Sequence, residues 1–161
     1  YGISKVNYKK PLEMPSYNYA ICVQNASWIT KQWPIESWKE LLRILEKRDI
    51  NLLFPSGNQE EFDRANEICS VSEKALALEV LPLNEIAFLI DNSEFTLCSD
   101  TGLAHLSAVV GTPSLTLYGP TDTRLIGTYG KDQNHFVSPD SNISKISVED
   151  VLTKLENLNF I

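Results

Sequence analysis

Residues 99–108, which read Ser-Asp-Thr-Gly-Leu-Ala-His-Leu-Ser-Ala, carry the polar groups best placed for chemistry. A short apolar run precedes them, and the small residues after Gly102 favour a helix. A buried strand, a polar turn with glycine and a helix start are how α/β proteins present backbone N–H groups to a phosphate. The pattern therefore predicts a phosphate site at Thr101 and Gly102.

A purely structural interpretation fits the same turn equally well. In it, Asp100 caps the helix and Gly102 only eases a tight turn. His105 follows Thr101 by four residues, so the two side chains share one helix face. Its imidazole could donate to a phosphate or a sugar hydroxyl, or it could be a packing residue. The local pattern leaves these alternatives open.

Charged residues near two other helix starts are further candidates. Lys31 comes just before Gln32-Trp33-Pro34, where its ammonium could reach a pyrophosphate or could simply be solvated. Glu60 and Glu61 open a predicted helix, where acidic side chains interact favourably with the helix dipole. One of the two could instead bind a pair of ribose hydroxyls.

The composition limits the classes of partner. The chain has 161 residues, 43% of them apolar, and a net charge of −7. One domain over residues 18–161 is expected, after a lead-in or linker over residues 1–17. The acidic balance argues against nucleic acid or an anionic membrane as the main partner. No apolar run reaches the length of about 18 residues that suggests a membrane span.

The cysteines and histidines do not suggest a metal centre. Three widely spaced cysteines, Cys22, Cys69 and Cys98, lack the paired spacing of a zinc site. They are predicted to be buried thiols in a reducing compartment. With only two histidines in the chain, a catalytic metal is not expected.

Alternating strand and helix patterns predict an α/β fold. Four or five strands separated by helices imply a Rossmann-like parallel sheet flanked by helices. The strands are expected at 19–24, 51–54, 76–80, 95–98 and 114–118. The helices are expected after Pro34 and at 59–71, 83–91, 102–110 and 148–158. The last helix would pack outside the sheet or reach another domain.

Polar clusters follow four of these strands, at 25–27, 56–58, 99–101 and 119–121. In open parallel sheets, ligands bind at the carboxyl ends of the strands. The four clusters are therefore expected along one edge of the sheet. Trp33 and Trp38 are expected in the core.

Taken together, these residues resemble glycosyltransferase family nine, the ADP-heptose:lipopolysaccharide heptosyltransferases, which have the two-domain GT-B architecture. The resemblance covers about residues 26–133, and residues 125–131 are most similar to the members that add the first heptose to Kdo-lipid A. The motifs that carry it are Lys31-Gln32-Trp33-Pro34 with Trp38, Gly57 followed by Glu61, Arg64 and Ala65, Asp100-Thr101-Gly102-Leu103 with His105, and residues 117–122.

The resemblance implies that the chain is the carboxyl-terminal, donor-binding half of an inverting transferase. That enzyme would move heptose from ADP-heptose to the Kdo-lipid A inner core, in lipopolysaccharide biosynthesis, without a cofactor or metal. The general base and most acceptor contacts would come from an amino-terminal domain absent here, so the segment alone would be inactive. The resemblance implies a cytoplasmic location for the full protein and is compatible with peripheral association at the cytoplasmic face of the inner membrane.

The resemblance also implies roles for matched positions. Lys31 would neutralise phosphate charge, Ser27 would add a hydroxyl, Glu61 would bind the ribose, and the backbone near Leu81 would face adenine. The diphosphate and heptose would be held by Asp100, Thr101, Gly102, Leu103 and His105.

Two positions depart from the family pattern. Ala26 stands where a hydroxyl residue is common, and Thr123 replaces a frequent proline. Two other functions are compatible with such a sequence: a GT-B nucleotide-sugar epimerase of the UDP-N-acetylglucosamine type, and a non-catalytic nucleotide-binding module.

Overall fold

The computed structural model describes residues 16–161. Of the predicted lead-in, residues 1–15 lie outside the described residues, and Ser16 and Tyr17 are exposed just before the first strand. Six strands form one sheet: β1 Tyr19–Val23, β2 Asn51–Phe54, β3 Ala75–Ala77, β4 Thr96–Ser99, β5 Ser114–Tyr118 and β6 Gln133–Val137. All neighbouring pairs are parallel.

Helices connect the strands and cover the sheet. They are α1 Ile35–Leu45, α2 Gln59–Cys69, α3 Leu83–Asp91, α4 Gly102–Val110, the short α5 Thr123–Ile126 and α6 Val148–Asn157. Helices α3 and α4 match the sequence prediction residue for residue. Helix α2 ends two residues earlier than predicted, and α5 was not predicted.

Both faces of the sheet are buried, as the apolar runs predict for a parallel sheet. In β1, Ala20 and Cys22 face one side, while Tyr19, Ile21 and Val23 face the other. The first side packs against α1, α2 and α6, and the second against α3 and α4. The layers are therefore helix, sheet and helix, and the fold class is confirmed.

Two tryptophans anchor the first layer, as expected. Trp33 and Trp38 are both fully buried. Their rings meet edge to face with centroids 5.2 Å apart, and Trp33 Nε1 donates to the Ile146 carbonyl at 2.9 Å. Helix α6 buries Val148, Val151 and Leu155 in the same core, so it packs on this sheet.

The edges of the sheet differ most from the prediction. Strand β3 covers only Ala75–Ala77, because it is an edge strand that pairs solely with the short β2. Strand β6 adds the opposite edge and was missed, because its sequence, Gln-Asn-His-Phe-Val, lacks an apolar run. Its backbone pairs with all of β5.

The three thiols are buried and free, as predicted. Burial raises the pKa of both Cys69 and Cys98 to about 12. Burial also raises the pKa of Cys22 well above its ordinary value. None of them is a ready nucleophile, because the thiolate is the reactive form.

The strand order is β3-β2-β1-β4-β5-β6. The chain moves outward from β1 to β3 and then returns to the other side of β1 with β4. At such a switch point the loops leaving the two central strands diverge, and a crevice opens at their carboxyl ends. Residues following β1 and β4 therefore face each other across this crevice.

Candidate functional site

The crevice between β1 and β4 brings Lys31 and Asp100 into direct contact. Lys31 ends a short 3₁₀ helix in the loop after β1, and Asp100 directly follows β4. Lys31 Nζ lies 2.8 Å from Asp100 Oδ2, with side-chain exposures of 22% and 8%. The Thr121 hydroxyl donates to the same carboxylate oxygen.

This pairing bears on the structural interpretation of the turn. Thr101, not Asp100, is the N-cap residue of α4, and its side chain makes no capping hydrogen bond. The interpretation of Asp100 as a cap is therefore wrong: its carboxylate bridges two loops instead. The net charge of the ion pair is zero, because the Lys31 ammonium neutralises the Asp100 carboxylate.

The N-terminus of α4 opens into the crevice. The first N–H groups of a helix have no partner within the helix, and they carry the positive end of its dipole. Apart from its chain neighbours and the backbone of its own helix, a Cβ atom added at Gly102 would meet no atom of residues 16–161 within 4 Å, and φ there is not left-handed. The fold itself does not need glycine at this position, and the space beside the backbone is open.

A cavity of about 360 Å³ lies at this helix end. His105 is on its wall one turn after Thr101, as the spacing predicted. Trp28, 69% exposed, and Ile126, 55% exposed, add apolar surface to the rim. The lining residues are Ser27, Trp28, Lys31, Asp100, Thr101, Gly102, His105 and Ile126.

A second cavity, of about 310 Å³, adjoins the first. Ser27 and Thr101 line both, so the two form one cleft. Leu81, near which the adenine was expected, lines the apolar wall of this second cavity, and Leu103 lines the cavity as well. The full lining is Val23, Asn25, Ala26, Ser27, Pro55, Ser56, Gly57, Glu61, Leu81, Leu83, Ile86, Thr101 and Leu103.

Glu61 is the carboxylate of this second cavity. Its Oε2 accepts from the Gly57 N–H at 2.7 Å and from Asn25 Nδ2 at 2.8 Å. Glu60 is exposed on the first turn of α2. Of the two candidates that the sequence left open, Glu61 is therefore the one in the cleft.

A partly buried polar network holds α2 against the end of β1. Arg64 Nε donates to Gln24 Oε1 at 2.5 Å, and its Nη2 donates to the Trp33 carbonyl at 3.1 Å. Gln24 Nε2 donates to the Glu61 carbonyl at 3.2 Å. Burial lowers the pKa of Arg64. The network sets the position of Glu61 relative to the loop after β1.

Several residues in or beside the cleft were not predicted as individual site residues. Asn25 and Thr121 lie in the polar clusters at 25–27 and 119–121, so position after a strand was the available signal. Trp28 and Ile126 carried no such signal. Of the family departures, Ala26 puts a methyl group in the second cavity, and Thr123 opens α5.

These features define a Rossmann-like α/β domain with a two-part cleft at its topological switch point. The chain belongs to glycosyltransferase family 9 (heptosyltransferase), whose family model matches residues 3–156. Lipopolysaccharide heptosyltransferase 1 of Escherichia coli K12 is 36% identical over 143 residues, which are 87% of this chain and 44% of that protein.

Solved structures agree with this assignment. E. coli heptosyltransferase WaaC with ADP superimposes with a TM-score of 0.85 at 32% identity, covering 88% of this chain and 44% of WaaC. WaaC with ADP-2-deoxy-2-fluoro heptose gives 0.81 at 30% identity, over 87% and 43% of the respective chains. The present chain thus spans less than half the length of these relatives.

Two negative findings concern residues 16–161 only. They contain no group of three or more His, Cys, Asp or Glu side chains arranged to hold a metal ion. In the same range, no helix combines the length and the hydrophobicity that crossing a bilayer requires.

Proposed function

We propose that residues 18–161 are the donor-binding domain of a heptosyltransferase and that their cleft binds ADP-heptose. One observation carries this proposal: a cavity with a leucine- and isoleucine-lined wall and an oriented carboxylate runs directly into a cavity at a helix N-terminus that contains the Lys31 ammonium. A nucleoside needs the first kind of surface and a diphosphate needs the second. Ser27 and Thr101 stand where the two would join.

The diphosphate would lie at the start of α4. The backbone N–H groups of Gly102 and Leu103 would donate to its oxygens, and the Ser27 hydroxyl would add a further donor. The missing Cβ at Gly102 lets a phosphate approach the backbone. Lys31, the cation of the cavity, would contact the phosphate nearest Asp100.

The heptose would lie beyond the diphosphate, near Asp100 and His105. A carboxylate only accepts hydrogen bonds, and its charge repels phosphate, so Asp100 suits a sugar hydroxyl. Its position is set by Lys31 and Thr121. His105, on the same wall, would contact the sugar or a phosphate oxygen.

The adenosine would occupy the second cavity. Glu61 would accept from the ribose hydroxyls, because its carboxylate is the acidic group of that wall. The apolar side of the cavity, with Leu81, Leu83 and Ile86, would contact the adenine ring.

The reaction would be an inverting transfer to a Kdo-lipid A acceptor. The general base and most contacts to the acceptor would come from an amino-terminal domain, because this chain covers less than half of its relatives. This domain would stabilise the negative charge that grows on the leaving diphosphate, through Lys31 and the α4 N-terminus, with no metal or cofactor. The complete enzyme would work in the cytoplasm, at the face of the inner membrane.

Calorimetric titration of the full-length protein with ADP-heptose, ADP and UDP tests the proposal. ADP should bind clearly more tightly than UDP, and transfer of heptose to Kdo-lipid A should occur. Preference for UDP would favour an epimerase-like function. Adenine-nucleotide binding without any transfer would favour a non-catalytic module. Glu60→Gln should leave ADP affinity unchanged, whereas Glu61→Gln should weaken it.

A further inference from the structure

We propose that Asn25 is a positioning residue that fixes the Glu61 carboxylate for recognition of ribose hydroxyl groups. The inference rests on the proposed function, since it concerns the nucleoside end of the same cleft. Asn25 follows β1 by two residues and lines the second cavity together with Glu61.

The geometry leaves one carboxylate oxygen for a ligand. Both the Gly57 N–H and Asn25 Nδ2 donate to Oε2 of Glu61, at 2.7 and 2.8 Å. Because a carboxylate accepts only, this contact also sets which end of the Asn25 amide faces Glu61. Two donors on Oε2 hold the group in one orientation and leave Oε1 to accept from a diol.

Fold stability alone does not explain an asparagine here. Asn25 is 7% exposed, and its Oδ1 is buried without a hydrogen-bond partner among residues 16–161. A buried acceptor left unsatisfied costs free energy. Only the donor end of the amide is used, and it is used on Glu61.

The hydrogen bond from Asn25 should affect nucleotide binding, because Glu61 has a flexible side chain at the start of α2. Without Asn25, only the Gly57 N–H orients the carboxylate, and the side chain gains rotamers that point away from the nucleoside. The loss should then fall on ligands that carry ribose hydroxyls. Ligands that lack them should be nearly unaffected.

The test uses the full-length protein and two nucleotides, ADP and 2′,3′-dideoxy-ADP. Wild-type protein should bind ADP about tenfold or more tightly than the dideoxy compound, the range for hydrogen bonds to a charged group. Asn25→Ala should weaken ADP about fivefold and leave dideoxy-ADP within about twofold, so that the ratio collapses. Asn25→Asp, which is nearly the same size, should repel Glu61 and weaken ADP further.

Asn58→Ala is the matched control. Asn58 is an asparagine on the neighbouring loop, and its Oδ1 accepts from the Glu61 backbone N–H as the N-cap of α2. This variant should lower the melting temperature and leave the ratio of the two nucleotide affinities unchanged.

Three results are distinguishable. Equal loss of both nucleotides in Asn25→Ala would mean a structural role and overturn the inference. Equal binding of both nucleotides by wild-type protein would also overturn it, while leaving the cleft a nucleotide site. No binding of ADP by wild-type protein would instead reject the proposed function itself.

Discussion

Replacing Lys31 by methionine removes the cationic partner of a carboxylate that is only 8% exposed. At 2.8 Å and an effective dielectric constant of about 20, the attraction between the two charges is about 6 kcal/mol before desolvation. Lys31 remains partly hydrated and Thr121 still donates to Asp100, so the net cost of the substitution should be about 1–3 kcal/mol.

The three variants Lys31→Met, Asp100→Asn and their combination separate charge pairing from ligand binding. Lys31→Met should lower the melting temperature by about 2–12 °C, at about 2–4 °C per kcal/mol for a domain of this size. Asp100→Asn should lower the melting temperature less, because the remaining Lys31 ammonium can regain water. The double variant leaves no unpaired charge, so its melting temperature should lie close to that of wild-type protein.

Ligand affinity should follow a different order, measured by calorimetry on the full-length protein. Lys31→Met should weaken ADP about 10–100-fold, the range for a hydrogen bond to a charged group. Asp100→Asn should leave ADP binding equal or tighter, because it removes a negative charge, but should weaken ADP-heptose. The double variant should bind ADP weakly despite its restored stability.

Either of two results would refute this reasoning. Unchanged ADP affinity in Lys31→Met would remove Lys31 from the phosphate site. A double variant as unstable as the sum of the single variants would show that the ion pair is not what stabilises the crevice.

Three further predictions concern single residues: Gly102, Thr121 and His135. Gly102→Ala should leave the melting temperature within a few degrees, since its Cβ meets no described atom within 4 Å, yet weaken ADP; an unchanged affinity in calorimetry would contradict close phosphate approach. Thr121→Val removes the hydroxyl that donates to Asp100 and should weaken ADP-heptose about 3–10-fold with little effect on ADP; equal losses would argue against positioning. Burial lowers the pKa of His135 in the folded chain, so the unfolded chain takes up a proton first as the pH falls below about 6.5. Wild-type protein should therefore lose more thermal stability between pH 7.5 and pH 5 than His135→Gln, and equal pH dependence would contradict this account.

Much of the fold could be predicted from the sequence, because burial leaves a periodic pattern. Strand β2 and helices α3 and α4 appear at the predicted bounds, since each presents a regular apolar face to the sheet. The same reasoning identified Trp33 and Trp38 as core residues. It failed at the edges of the sheet, where one strand is polar and another short, because an edge strand is held by backbone pairing that leaves little trace in side-chain pattern.

The candidate site shows the same division. Position after a strand was enough to predict that Ser27, Asp100 and Thr101 would lie at one edge, because parallel strands end together. The sequence by itself thus determined the layers of the domain and which edge would carry polar groups.

Only the tertiary structure decided which of these groups contact one another. The strand order places β4 beside β1, and this adjacency turns two separate candidates, Lys31 and Asp100, into an ion pair. It likewise selects Glu61 over its neighbour Glu60 through the donor on Asn25. Local patterns report which face of an element is buried, whereas contacts between loops depend on the order in which distant strands assemble.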